Sequence, residues 1–149
     1  MQVEHPRTVL LALKPRFANA ILDGSKTVEL RRQRVGLTPG TVLLIYASSP
    51  VMAILGTARV RKIERERPED IWSQYAAHVG LHRDEYDAYL KGVEFASAIT
   101  LEQPSILDKP ITLKELRGEQ SFHPPQSYCF INPEAPGVLG ALTAELSAR

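Results

Sequence analysis

The chain has 149 residues, of which 44% are hydrophobic and 23% are charged, and its formal net charge is +1. This is the composition of one ordinary globular domain, and it excludes a disordered chain. The charge is unevenly spread, because residues 1–67 hold twelve Lys or Arg and five acidic residues (net +7), whereas residues 68–149 are net −6. A basic half can attract phosphates or pair with its own acidic half, and both interpretations stay open.

Hydropathy and cysteine content bear on where the protein acts. No apolar run approaches the roughly 20 residues that a membrane span needs, and the N-terminal run VLLAL is too short for a signal-peptide core. Cys129 is the single cysteine, so it cannot form an internal disulfide. We expect a cytoplasmic protein without a membrane partner; the oligomeric state stays open.

The first sixty residues predict strands around one short helix. TVLLALK has the apolar pattern of a buried strand, and KPRFANAILDG that of a short helix ended by Gly24. KTVELRR then alternates, so that Thr27, Glu29 and Arg31 share one side of a strand. After turn signals, TVLLIYAS predicts a central strand, and VMAILGTARVRKIERE predicts a long strand with a bulge or a bend at Gly56.

From Pro68 the period changes, and two short helices are predicted as an insertion at about residues 68–91. A strand (VEFASAITLEQPS), a short helix with a capping box at Thr112 and Glu115, a last strand (SYCFIN) and a C-terminal helix (PGVLGALTAELSAR) follow. The whole order predicts one domain over residues 1–149, an α+β fold with a small, bent, mostly antiparallel β-barrel and flanking helices.

Lys26, Glu29 and Arg31 form the first candidate site. Glu29 and Arg31 share one face of the strand that Lys26 precedes. A carboxylate between two cations stays ionised and holds them in place, and Arg offers a planar fork to a carboxylate, a phosphate or a base edge. The alternative is an outward-facing, salt-bridged strand that contributes little free energy.

Two polar islands at strand ends add candidate ligand-binding residues. In YASSP, Tyr46 can stack on a base while Ser48 and Ser49 donate to a phosphate or base; in HPPQSYCF, Gln126 and Ser127 can face a ligand. A buried tyrosine beside a Ser-Pro turn, and a capped turn, are the alternatives.

Familiar catalytic and metal-binding signatures are missing. The sequence has no Walker-type loop, no paired cysteines and no HExxH, and Gly80 separates His78 from His82, so we predict no metal site and no cofactor. Ser48, Ser49, Thr27 and Cys129 have no histidine at a motif spacing. A lysine base acting on a hydroxyl nucleophile stays open, although an anion such as Glu29 favours the charged lysine.

The stretches LALKPRFANAILDGSKTVELRR and PGTVLLIYASSPVMAILGTARV resemble the activating-signal-cointegrator homology (ASCH) family of the PUA-like superfamily. The resemblance covers about the first sixty residues closely. The family pattern is a G-x-K-x-x-E-x-R turn and strand, followed by a P-G and a Y-x-S strand. Its positions are Gly24, Lys26, Glu29, Arg31, Pro39, Gly40, Tyr46 and Ser48 in this chain.

The resemblance implies a small β-barrel with a cleft beside the first helix, lined by the G-x-K-x-x-E-x-R residues. Relatives are thought to bind RNA or modified nucleosides, and some are described as ribonucleases. Others hydrolyse N4-acetylcytidine with a lysine base and a threonine nucleophile three residues later. The lysine corresponds to Lys26, but Glu29 stands at the threonine position and cannot act as a hydroxyl nucleophile.

Three functions follow as hypotheses. The first is a module that binds RNA, single-stranded nucleic acid or a nucleoside or nucleotide, with an arginine-rich rim on the phosphates (Arg32, Arg34, Arg59, Arg61 and Lys62). The alternatives are a hydrolase, in which Lys26 and Glu29 are the catalytic candidates, and a regulatory domain whose acidic segment 68–91 docks a partner through Trp72. The predicted ligand contacts are Lys14, Lys26, Thr27, Glu29, Arg31, Arg32, Tyr46, Ser48, Ser49, Gln126 and Ser127.

Overall fold

A computed structural model describes residues 7–118, 121–132, 134 and 137–147. Within those residues, strands and helices follow one another as β1 Thr8–Leu13, α1 Pro15–Asp23, β2 Val28–Arg31, β3 Val42–Ala47, β4 Ala53–Glu66, α2 Pro68–Tyr75, α3 Arg83–Tyr89, β5 Ala96–Thr112, α4 Leu113–Arg117, β6 Tyr128–Phe130 and α5 Gly137–Ser147. No helix in these ranges is both long enough and apolar enough to cross a membrane.

The described strands form one sheet in the order β2-β5-β4-β3-β1-β6. The β1–β3 pairing is parallel and the other four are antiparallel. The β3–β4 register shifts opposite Ile45 and Tyr46, and the β4–β5 register shifts at three points. Bulges increase the local bend and twist of a sheet. The predicted α+β fold with a bent, mostly antiparallel, barrel-like sheet is confirmed, and the barrel is open between β2 and β6.

Local chemistry accounts for the elements around β2. Pro15 begins α1, where a missing N–H costs no hydrogen bond, and Gly24 ends it with φ 87°. Gly56 lies at a register shift of β4, where a bulge or a bend was predicted, and a Cβ there would clash with the Ser105 carbonyl oxygen. The Thr112–Glu115 capping box of α4 is also confirmed.

Alternation along the strands divides the core among three clusters. Leu43 and Ile45 of β3 pack with Ile21 of α1 on one face, whereas Leu44 of β3 packs with Leu142 of α5 on the other. In the third cluster, Val28 and Leu30 pack against Ile71, Tyr86 and Leu90. The helices between residues 68 and 91 are therefore part of the apolar packing that holds β2.

The described β5 differs from the prediction at both ends. The alternating run was expected to begin at Val93, but the strand begins at Ala96 and continues past Pro104 to Thr112. Gln103, with φ 53°, lies where the β4–β5 register shifts. The bulge therefore carries the strand past a proline that would otherwise interrupt its ladder.

Candidate functional site

A cavity of about 600 Å³ lies where the opening of the barrel meets α1 and α3. Its β2 wall consists of Lys26, Glu29, Leu30 and Arg31. A strand-end wall, at the carboxyl ends of β1 and β3, consists of Ala12, Leu13, Lys14, Ser48, Pro125 and Gln126. A helical wall consists of Phe17, Leu81, Glu85 and Tyr89.

Lys26 is the most buried charged group of the cavity, with 2% of its surface exposed. Its Nζ donates to the carbonyl oxygens of Val79 at 2.5 Å and Val28 at 3.0 Å, and it lies 3.4 Å from Glu29 Oε1. Burial lowers the pKa of Lys26, and the Glu29 carboxylate opposes that shift. Nζ also lies 5.4 Å from the centre of the Phe17 ring.

Glu29 connects the two cations of the β2 wall. Its Oε1 accepts from the Leu30 backbone N–H at 3.1 Å and faces Lys26, while Oε2 accepts from Arg31 Nη2 at 2.9 Å. The Glu29 side chain is 8% exposed. Both oxygens are therefore occupied inside the protein, and Glu29 holds Lys26 and Arg31 in fixed positions.

Arg31 reaches from one edge of the sheet to the other. Its Nη2 binds Glu29 on the same strand, and its Nη1 donates to Ser127 Oγ at 2.8 Å, just before β6. The buried Nε has no hydrogen-bond partner among the described residues. A guanidinium has five N–H donors, so Nη1 and Nη2 each keep one N–H that these two hydrogen bonds do not use.

The opening between β2 and β6 is bridged at two points by side chains. One is the Arg31–Ser127 hydrogen bond, and Ser127 is held to β1 because the Ala12 N–H donates to its carbonyl oxygen at 2.9 Å. At the other point, the Gly36 N–H donates to the Tyr128 hydroxyl at 3.0 Å. The cavity thus lies where side chains replace the missing backbone ladder.

The polar side chains of the strand-end wall, unlike those of the β2 wall, are not engaged with other described residues. Lys14 and Gln126 are exposed, Ser48 is half-buried, and none of the three side chains has a hydrogen bond or ion pair with any residue in the described ranges. The backbone fixes their positions, since the Ser48 N–H donates to the Leu13 carbonyl oxygen at 2.8 Å. An ammonium, a hydroxyl and an amide are available to a ligand here.

The helical wall was not predicted from the sequence. Tyr89 donates its hydroxyl to the Leu30 carbonyl oxygen at 3.2 Å, and burial raises its pKa. Glu85 forms an ion pair of 2.7 Å with Arg16 of α1. The available signal was the i, i+4 spacing of Glu85 and Tyr89, which puts them on one face of α3, but nothing in the sequence indicated that this face meets β2.

The structure places four predicted contacts away from the cavity lining. Tyr46 alternates with Ile45 on β3, so its side chain lies in the cluster of Leu44 and Leu142 at 2% exposure. The other three residues are engaged elsewhere or turned outward. Thr27 Oγ1 is 3.3 Å from His78 Nδ1, Arg32 donates to the carbonyl oxygens of Tyr89 and Lys91, and Ser49 is exposed outside the lining.

Most of the other predicted ligand contacts line the cavity, whereas the cations of the predicted rim do not. Lys14, Lys26, Glu29, Arg31, Ser48 and Gln126 line the cavity, and Ser127 contacts it through Arg31. The cations of the predicted rim lie outside the lining. In the described part of the chain, no three His, Cys, Asp or Glu side chains cluster so that they could hold a metal ion.

A half-open β-barrel with a cation-lined cavity at its opening is the architecture that the ASCH resemblance implies. Residues 6–117 match the family described as "Domain of unknown function (DUF365)". An "ASCH domain-containing ribonuclease" of Zymomonas mobilis is 32% identical over 141 residues, which are 94% of this chain and 95% of that protein. The chain therefore belongs to the matched family and is a member of the ASCH domain proteins.

Solved structures agree with this assignment. The crystal structure of ASCH from Zymomonas mobilis superposes with a TM-score of 0.82 at 31% identity, covering 95% of this chain and 96% of that one. A mutant of the same protein gives a TM-score of 0.82 at 30% identity, covering 97% and 99%. The similarity includes the helical insertion and the C-terminal helix, because it extends over nearly the whole chain.

Proposed function

We propose that this protein binds RNA through the cavity at the opening of its barrel, with one nucleotide of a single-stranded segment held between the three walls. The observation that carries the proposal is that one cavity is lined both by Arg31, which has unused N–H donors, and by Lys14, whose side chain has no partner among the described residues. Two cations beside a cavity of about 600 Å³ suit a phosphodiester with its attached nucleoside. The cytoplasm remains the compartment we propose.

The walls offer different contacts to such a nucleotide. Arg31 and Lys14 would bind phosphate oxygens. Phe17 and Tyr89 provide aromatic surface for a base, since stacking on an aromatic ring tolerates any base. Ser48 and Gln126 would donate to or accept from the ribose hydroxyls or the base edge.

RNA cleavage is the second candidate function. It is favoured by the similarity, over nearly the full length of both chains, to a Zymomonas mobilis protein named as a ribonuclease. Hydrolysis of an acylated nucleoside has weaker support, because position 29 carries a carboxylate whose two oxygens already bind Leu30, Lys26 and Arg31. No hydroxyl nucleophile occupies that position.

The regulatory alternative required Trp72 as an exposed anchor. The Trp72 ring is half-buried, 4.8 Å from the Tyr86 ring, and the Arg83 guanidinium covers it at 5.0 Å. An aromatic side chain already packed in this way offers little new area to a partner. We therefore do not propose that interface.

Binding and cleavage are tested with one set of RNA oligonucleotides. Fluorescence anisotropy at low salt should show that the wild type binds single-stranded RNA, and Arg31→Ala should weaken binding about tenfold or more. Lys109→Ala, which removes an exposed cation outside the cavity, is the control and should bind like the wild type. Absence of wild-type binding at low salt would refute the proposal, and RNA that stays intact under the same conditions would refute cleavage.

A further inference from the structure

We propose that Lys26 and Glu29 are positioning residues that hold Arg31 across the opening of the barrel, and that Arg31 is the cation of this wall that contacts the RNA phosphodiester. The inference rests on the proposed RNA binding and deepens it. It also assigns Lys26 no proton-transfer step, although a buried lysine beside a carboxylate has the composition of a general base.

The polar contacts of Lys26 all lie inside the protein. An ammonium group has three N–H donors and no acceptor. Nζ donates hydrogen bonds to the Val79 and Val28 carbonyl oxygens and forms an ion pair with Glu29 Oε1. A ligand in the cavity would have to displace one of these partners before it could bind Lys26.

The aliphatic part of the Lys26 side chain, its stem, is also held in place. Gly80, with φ 68°, lies so close that a Cβ at that position would be 3.2 Å from Lys26 Cβ. The connection between α2 and α3 therefore rests on the lysine stem and accepts its hydrogen bond at Val79. Lys26 therefore connects the helical insertion to β2. A lysine that gave up its proton and moved toward a substrate would break these contacts.

Arg31 differs from Lys26 because some of its N–H donors are not used by the protein. A guanidinium has five N–H donors, and the described structure uses one toward Glu29 and one toward Ser127. Three donors remain: the buried Nε, and one N–H on each of Nη1 and Nη2. Both cations line the cavity, but the Arg31 side chain is more exposed than that of Lys26, at 15% against 2%, so Arg31 is the cation that can offer donors to a ligand.

Lys26 acts on Arg31 through Glu29, which lies between them. Lys26 lies against Glu29 Oε1, and Glu29 binds Arg31 through Oε2. Without the Lys26 ammonium, Glu29 Oε1 loses its ion-pair partner and the carboxylate can turn toward Arg31, so Arg31 would no longer be held in one position. Lys26 therefore affects RNA binding only while Arg31 is present.

A double-mutant cycle on RNA affinity tests this dependence. Lys26→Met keeps the length of the stem and should raise the Kd about tenfold in the wild-type background, but less than about twofold in the Arg31→Ala background. Lys109→Ala in both backgrounds is the additive control. Effects of Lys26→Met that multiply with those of Arg31→Ala would overturn the inference, because they would mean that Lys26 contacts the ligand itself.

A second measurement separates this inference from the proposed function. In the free protein, NMR signals of the Arg31 guanidinium N–H groups should be protected from solvent exchange, and Lys26→Met should remove that protection. Equal protection in both proteins would overturn the positioning role, whether or not RNA binds. If the protein cleaves RNA, Lys26→Met should keep both limbs of the pH–rate profile; loss of one limb would show that Lys26 transfers a proton.

Discussion

Two walls of the same cavity handle charge in opposite ways. On the β2 wall, Lys26, Glu29 and Arg31 are buried or nearly so and bind one another and the backbone. On the strand-end wall, Lys14 and Gln126 are exposed, and their side chains have no partner among the described residues. The first arrangement is set before any ligand arrives, whereas the second is available only to a ligand.

The difference predicts where substitutions cost stability and where they cost binding. Buried ion pairs repay desolvation only through good geometry, and removal of one partner leaves an uncompensated charge. Exposed, unpartnered side chains contribute almost nothing to folding. We therefore expect the β2 wall to respond in unfolding experiments and the strand-end wall to respond in RNA titrations.

The largest expected effect is on Glu29. Glu29→Gln removes the anion between Lys26 and Arg31 and leaves two buried cations facing each other, so the free energy of unfolding should fall by about 3 kcal/mol. Urea denaturation measures this change. Glu85→Gln, at the exposed ion pair with Arg16, is the control and should cost no more than about 1 kcal/mol. A loss for Glu29→Gln as small as the control's would show that the β2 wall is not a tightly coupled network.

A smaller effect, in the pH dependence of stability, is expected at Lys26. Burial lowers the pKa of Lys26 in the folded protein below the ordinary 10.5. Between those two pKa values, Lys26 is protonated in the unfolded chain but not in the folded protein. Wild-type stability should then rise relative to Lys26→Met as the pH increases through the folded pKa toward 10.5. Urea unfolding of both proteins at several pH values from 7 to about 10.5 measures this difference.

Lys62 supplies the opposite case for comparison. Its pKa is raised above the ordinary 10.5 by contacts with Tyr75 and Glu64, so stability should be lost relative to Lys62→Met only above pH 10.5, as the pH rises through the folded pKa, and the urea series is extended above pH 10.5 for this pair. Lys26 and Lys62 should therefore differ in sign. The same sign for both lysines would mean that the attraction of Glu29 outweighs burial at Lys26.

The alternation of KTVELRR was enough to predict part of the β2 wall. A period of two places Glu29 and Arg31 on one face, and both side chains line the cavity. The same rule put Thr27 with them, but it lies before the first residue of β2 and its hydroxyl contacts His78. Alternation predicts the direction of side chains within a strand, and here it fails at Thr27, one residue before β2 begins.

Tyr46 and the helical wall show what a local pattern omits. Tyr46 was assigned to the cleft because it ends an apolar strand, but both faces of β3 are covered, and its side chain belongs to the face packed by α5. Tyr89 and Leu81 line the cavity only because α3 packs against β2 through Tyr86. Contacts between elements more than fifty residues apart depend on packing, which periodicity does not encode.

The smallest expected effect is at Lys14, and it tests the strand-end wall directly. Lys14→Ala should leave the free energy of unfolding within about 0.5 kcal/mol of the wild type, because the described structure gives its side chain no partner. RNA affinity should fall modestly, and the slope of log K against log salt should decrease by about 0.7, the value for one phosphate contact on a single strand. Anisotropy titrations at several salt concentrations measure that slope, and Lys109→Ala should leave it unchanged. An unaltered slope for Lys14→Ala would place the phosphate contacts on Arg31 alone and would make the strand-end wall a surface for the base or ribose.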